Sequence, residues 1–244
     1  MPASETANAR PPRTARAEAR ERTMRRIVEL GNAQLAASGP AALSVREIAR
    51  GLGMVSSAIY RYVSSRDELL TLLIVEAYSD LADAADEAVA GAGDDPRARF
   101  IALGEAMAAW AIAQPERWTL LYGTPVRDYA APAETTNAAG TRTIGTVLAI
   151  AADASTAGSY DGAVPPGARP DMPPEVESLL AESLEEFGVG ADAATAARAV
   201  TAWSGLIGII SAHVFAQLGP DAVAVGEKIL DVQIPMLADL IAPR

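Results

Sequence analysis

Cysteine is absent from the 244 residues, and histidine and lysine occur once each, at His213 and Lys228. Without a thiol there is no disulfide, no thiolate metal ligand and no cysteine nucleophile. A thiol-free chain suits a reducing compartment such as the cytosol, and a cytoplasmic location is the expectation. A metal site needs several ligands at convergent spacing; no such spacing is visible, and no cofactor is expected. No run of about 18 uninterrupted apolar residues occurs. The most apolar stretch, Leu206 to Phe215, is short and carries His213, so no membrane span is expected. The first fifteen residues lack the apolar stretch of a secretory signal. Gly-rich phosphate loops, nucleophile elbows and paired His/carboxylate motifs are missing too. Enzyme chemistry is therefore not expected. The body's carboxylates, such as Glu182, Glu185 and Glu186, scatter along presumed solvent faces.

What is present is half apolar, enough for a sizeable core, and the length suits a small head on a larger body. The net charge of −11 is unevenly spread. Residues 1–70 hold 11 basic and 7 acidic groups, a balance of +4, whereas residues 71–244 hold 9 and 24, a balance of −15. A basic head on an acidic body points to a phosphate-binding end, the alternative being a solubilising gradient with no partner.

The periodicity is helical throughout. Residues 1–15 read as a flexible basic tail, with Arg10, Arg13 and Arg16 approaching the first helix, either an arm adding phosphate contacts or a segment without function. A first helix is expected from Arg16 or Thr23 to Ser38, with Ile27, Gly31 and Leu35 on its inner face and Gly39-Pro40 as its stop. Ser44 and Glu47 have capping-box spacing, with Val45, Ile48, Ala49 and Leu52 following on one face. A third helix is expected over Ser56–Val63. A fourth follows the Ser65/Glu68 and Ser64/Asp67 caps and runs to about Ala90. The body reads as helices near 97–114, 116–122, 137–154, 174–187, 192–218 and 222–241, the last with a kink at Pro235. A loop is expected over Ala157–Pro173. The domains are accordingly 1–15, 16–70 and 71–244.

Residues 44–62 have helix-turn-helix arithmetic: two short helices joined by a tight glycine-containing turn. Ala49 lets the helices approach, and Gly53 accepts the positive φ of the turn. Ser56, Ser57 and Ala58 then occupy the leading end of the second helix of the pair, the end that reaches base edges when such a helix enters a major groove. Ser56 stands as its expected cap.

Residues 23–70 resemble the N-terminal domain of the TetR family of regulators. Ile27, Gly31, Leu35, Gly39, Ser44, Val45, Ile48, Ala49 and Gly53 match. "IYRYVSSRDEL", from Ile59 to Leu69, matches the family pattern "LYxxFxxKxxL". The resemblance implies phosphate contacts by Tyr60, Tyr62 and Arg66, with helix-turn-helix geometry adding Arg46 and Arg61. Packing tyrosines and a solvated arginine face, with Arg50, are the plainer alternatives. Val55 and Val63 depart from the family's usual Ser and Phe. The segment "AWSGLIG", with Trp203 and Gly208, resembles the C-terminal domain type named for a Trp-His-Gly pattern, Ile207 replacing the histidine. Residues 115–129 support it.

The resemblance implies an all-α fold: a three-helix DNA-binding head on a helical ligand-binding and dimerisation body. It implies a homodimer through helices 192–218 and 222–241, an apolar stripe of Val225, Ile229, Val232 and Met236 serving the interface or the internal core. It further implies a repressor released from a palindromic double-stranded DNA operator by a small-molecule effector. Pocket candidates are Met107, Trp110, Trp118, Tyr122, Arg127, Trp203 and His213; ordinary core is the alternative for each. Two other readings remain: a helical binding or scaffold protein whose head no longer reads DNA, and an all-α enzyme.

Overall fold

The computed structural model describes residues 15–157 and 171–243; the expected tail, apart from Ala15, and most of the expected 157–173 loop lie outside them. The described residues form α1 (Ala15–Ser38), α2 (Val45–Gly51), α3 (Ser56–Ile59), α4 (Arg66–Gly91), α5 (Pro96–Ala113), α6 (Pro115–Tyr122), α7 (Ala133–Gly140), α8 (Arg142–Thr156), α9 (Pro174–Glu186), α10 (Ala193–Val214), α11 (Pro220–Val225) and α12 (Lys228–Ala238), with no strand among them. Two compact units divide within α4, between Leu73 and Ile74.

In the first unit, Ile27, Gly31 and Leu35 form the buried face of α1. A Cβ on Gly31 would lie 2.9 Å from Leu73 Cδ2, so the glycine is the seat for that leucine. Leu35, Ile48, Ile59, Val63 and Leu70 complete a small core, each at most 1% exposed. Burying each such side chain contributes roughly 1.5–3 kcal/mol.

In the second unit, α10 is the central helix and packs on α5, α6, α8, α9 and α12. By length and composition alone it is apolar enough to cross a membrane. Here its inner face, Ala199, Ala202, Leu206 and Ile210, is fully buried in the core with Phe100, Met107 and Trp118. Two glycines bring α12 close: a Cβ on Gly104 of α5 would lie 2.8 Å from Ile234 Cγ2, and one on Gly205 of α10 would lie 2.8 Å from Leu237 Cδ2. Arginines staple the helices. Arg97 donates from Nε and Nη2 to Asp239 (3.1 and 2.8 Å) and from Nη2 to the Pro235 carbonyl (2.9 Å). Arg99 pairs with Asp153 at 2.5 Å, and Arg142 with Asp83 and Asp86 at 2.7 Å each.

Several elements differ from expectation. The 192–218 helix stops at Val214, because Ala216 turns left-handed at φ 53° and closes the end. The 222–241 helix is two helices, interrupted at Gly226 (φ 65°), while Pro235 lies inside α12. The 137–154 helix begins earlier as α7 and restarts at Arg142 as α8. The Ser44/Glu47 capping box is half formed. The Ser44 hydroxyl accepts from the Glu47 N–H at 3.4 Å, but the Ser44 N–H donates to Gln34 Oε1 at 2.9 Å, and the Glu47 carboxylate pairs with Arg50 at 3.0 Å instead.

Candidate functional site

The helix-turn-helix pair is set by backbone chemistry. Gly53, at φ 66°, follows the last turn of α2, and its N–H donates to the Arg50 carbonyl while the Met54 N–H donates to that of Ala49. These two bonds close the helix end and reverse the chain within a few residues. The next segment leaves the surface as an edge: Val55 is 72% exposed, Ser56 and Ser57 are exposed, and Ala58 is half-buried. Ile59 beneath them is fully buried and anchors the edge to the core.

α3 is shorter than expected. Its regular part covers Ser56–Ile59, and the chain continues through turns in which Arg61 and Tyr62 donate to the carbonyls three residues back. Ser56 is not the cap. Val55 holds that position and offers no side-chain hydrogen bond.

Tyr60 and Tyr62 fall on opposite sides of this edge. On one side, a surface cleft of about 330 Å³ is lined by Ser44, Arg46, Tyr60, Ser64, Ser65 and Arg66. Arg46 and Tyr60 are exposed there. Arg66 is held by the Pro40 carbonyl at 2.9 Å and by Asp67 at 3.4 Å, which fixes where its charge sits. Next to Asp67 in sequence, Glu68 accepts from the Ser64 hydroxyl (2.5 Å) and backbone N–H (2.6 Å). Those two bonds hold its carboxyl below the usual glutamate range. On the other side, a groove of about 640 Å³ is lined by Arg16, Arg20, Met54, Ala58, Arg61 and Tyr62, with Ala17 and Ala19. The Arg20 guanidinium lies 5.2 Å over the Tyr62 ring and donates to the Arg61 carbonyl at 3.4 Å. Arg20 carries no motif signal; its only trace in the sequence is the one-turn spacing from Arg16.

The residues expected to line a body pocket are mostly core. Met107 and Trp118 are fully buried, and Trp110 and Trp203 are below 10% exposed. Trp118 donates to the Ser211 hydroxyl at 3.1 Å. Tyr122 sits among Trp118, Tyr78 and Trp203, with ring centres 4.4, 6.1 and 6.5 Å away. Burial by these neighbours raises its phenol above the ordinary range, so it stays protonated. Arg127 is exposed. His213 lies beside Gln233 at a gap of about 10 Å³, room for one water at most.

A larger cavity, about 450 Å³, opens elsewhere in the body. Its walls include Ile74 and Tyr78 of α4, Leu121 of α6, Val126, and Asn137 and Thr141 at the end of α7; none of the seven expected residues lines it. No lining residue carries a charge. The position was not readable from local pattern, because its walls are gathered from three helices and a loop.

Sequence reasoning also missed Arg117, the main buried cation among the described residues. Its Nη1 donates to Asp80 at 2.7 Å and its Nη2 to Glu76 at 2.6 Å, while the guanidinium lies 5.0 Å over Trp110. Gln114 accepts from it as well. Burial pushes the Asp80 carboxyl up, but hydrogen bonds from Trp110 and Arg117 together with the Arg117 charge outweigh this and hold it below 3.8. The cluster ties α4, α5 and α6 together, and its carboxylates are already satisfied by the arginine. That arrangement is a staple rather than a catalytic pair.

Residues 27–73 match the bacterial regulatory proteins of the tetR family, and residues 100–237 match a tetracyclin repressor-like C-terminal domain. The chain belongs to the tetR family. The protein is 44% identical over 232 residues to the HTH-type transcriptional regulator Rv1816 of Mycobacterium tuberculosis, covering 93% of this chain and 95% of that one. The HTH-type transcriptional regulator Mb1846 of Mycobacterium bovis matches to the same extent. Among solved structures, the regulatory protein SCO4313 superposes with a TM-score of 0.70 at 27% identity, over 92% of this chain and 98% of that one. A Rhodococcus sp. RHA1 protein of unknown function has the same fold, with a TM-score of 0.65 at 22% identity over 90% and 95%. This tetR-family protein is therefore a DNA-binding transcriptional regulator, all-α, and belongs to a non-enzymatic class. The description of its C-terminal match names no Trp-His-Gly type.

Proposed function

We propose that the protein is a cytoplasmic repressor, released from a palindromic operator by a small molecule bound in its body. The observation that carries the DNA half is the exposed edge Val55–Ala58, flanked by the cleft of Arg46, Tyr60 and Arg66. In this reading the edge enters the major groove, where Ser56, Ser57 and Ala58 meet base edges. Tyr60, Arg61, Tyr62, Arg46 and Arg66 grip phosphates, which fix register without reading sequence. The repressing direction rests on family resemblance.

The protein acts as a homodimer in this reading. Val232 and Met236 on α12 are 62% and 64% exposed and lie one turn apart. On α10, the exposed Thr201, Ser204 and Gly208 leave a low surface on which a second helix can lie close. Two heads then span half-sites about 34–36 Å apart.

The effector site is the 450 Å³ cavity rather than the buried aromatic cluster. Its uncharged walls suit a neutral molecule with an apolar body and a few hydrogen-bonding groups, met by the Tyr78 hydroxyl and the Asn137 amide. Burial raises the Tyr78 phenol, which keeps it neutral. Such a ligand lowers DNA affinity only by binding the DNA-competent arrangement less well than the other. α4 supplies two cavity walls and continues into the head unit, so it is the element whose position the ligand biases.

The deciding experiment is equilibrium binding of the protein to its own upstream DNA across a salt series. Sequence-specific binding that weakens steeply with salt is expected. Arg66→Ala should lower affinity for all sequences alike, and Ser57 substitutions should change preference. Salt-insensitive or absent binding would favour a scaffold whose head no longer reads DNA.

A further inference from the structure

We propose that Arg16 and Arg20 of α1, with Tyr62, form a second DNA-backbone site on the flank of the reading edge opposite Arg46, Tyr60 and Arg66. The inference rests on the docking of the Val55–Ala58 edge proposed above.

The geometry supplies the argument. A major groove is bounded by two phosphate strands, one on each side of whatever enters it. An edge gripped on one flank alone would be free to roll about that grip. One flank of this edge is the Arg46, Tyr60 and Arg66 cleft. The other is the 640 Å³ groove, which contains three arginines and a tyrosine and no carboxylate. Arg16 and Arg20 lie one helical turn apart, on the same face of α1, and both are exposed. The nearest acids on the helix, Glu18 and Glu21, do not line the groove.

Arg20 is also held in position. Its guanidinium stacks on Tyr62 and commits one N–H to the Arg61 carbonyl. A guanidinium has five N–H donors, so others remain to bind a phosphodiester oxygen at the groove that Arg20 lines. Stacking on an aromatic face fixes the planar fork at little further entropic cost, which a lysine could not reproduce. Arg16 adds charge with no ion-pair partner among the described residues. Each of the two clefts thus combines a tyrosine with an arginine held by a backbone carbonyl.

The test uses the full-length protein and a random-sequence 30-base-pair duplex, because backbone contacts are independent of sequence. Affinity is measured against potassium chloride for the wild type, Arg66→Ala, the double variant Arg16→Ala/Arg20→Ala, Arg20→Lys, and Arg25→Ala, a residue outside the groove. Each lost phosphate contact lowers the slope of log affinity against log salt by about 0.9. The double variant should lose about 1.8 per head, and Arg66→Ala about 0.9. Arg20→Lys should keep the slope but bind several-fold more weakly, and Arg25→Ala should match the wild type. The inference is overturned if Arg66→Ala flattens the slope while the double variant keeps it. It is equally overturned if the double variant loses affinity at unchanged slope with a lowered melting temperature, which marks a structural role. A flat slope in the wild type sinks the docking of the edge itself and this inference with it.

Discussion

The arginines that join body helices are paired with carboxylates, whereas in the head Arg26, Arg50 and Arg66 are paired but Arg16, Arg20, Arg46 and Arg61 have no ion pair among the described residues. In the body, Arg97, Arg99, Arg117 and Arg142 each meet at least one carboxylate at 2.5–2.8 Å and join helices far apart in sequence. In the head, Arg46 is exposed beside the proposed reading edge, and Arg16, Arg20 and Arg61 line a groove without a carboxylate. The same side chain is neutralised where it staples the body helices and left outward around the proposed DNA-reading edge. A surface arginine pair is worth little to stability, so the head gives up little by leaving these unpaired.

Substitutions can sharpen or break that contrast. The largest effect belongs to the body core. Trp118→Ala removes a fully buried indole and its bond to Ser211, and should destabilise the body by about 3–5 kcal/mol in urea unfolding. Arg117→Met should cost about 2 kcal/mol, below the usual ~3–5 for a broken buried pair because Glu76 and Asp80 reach solvent. If that variant were neutral while Arg66→Ala unfolded the head, the division between stapling and outward arginines would be wrong. Gly53→Ala meets no neighbour but must hold φ 66°, so it should destabilise the head by about 1–2 kcal/mol with little change in the body's transition. The smallest effect is acid sensitivity. Asp80 binds its proton more weakly when folded, so its contribution is present above 3.8 and is lost as the pH falls through its lowered folded value. Stability of the wild type and Asp80→Asn should therefore converge as the pH falls through that lowered value; a difference that stays constant throughout acid titration would contradict the arginine clamp.

Much of the head was legible because its determinants are local. Gly53 at the turn, the Ser44 cap, and the inner face of Ile27, Gly31 and Leu35 all follow from spacing within one or two turns. The Glu47 half of the capping box was not, since its target N–H is taken by Gln34 from another helix. The split at Gly226 was masked by an apolar rhythm that continues across it. In the body, bulky aromatics marked the core rather than the cavity, because a large flat side chain gains most by full burial. The cavity instead forms where smaller residues from α4, α6 and α7 fail to fill the space between helices. The exposure of Ser56 and Ser57 could be anticipated from the motif, whereas the groove built by Arg20 and Tyr62 required the α1 contact to be seen.

The glycine seats beneath α12 have a further consequence. Gly104 and Gly205 let Ile234 and Leu237 seat closely on the main chain of α5 and α10, where a Cβ would lie 2.8 Å from each. The projections of Val232 and Met236 on the outer side of α12 are set by this packing. A second copy docking there, as proposed above, would meet a contour already packed within one chain, which lowers the ordering cost of association.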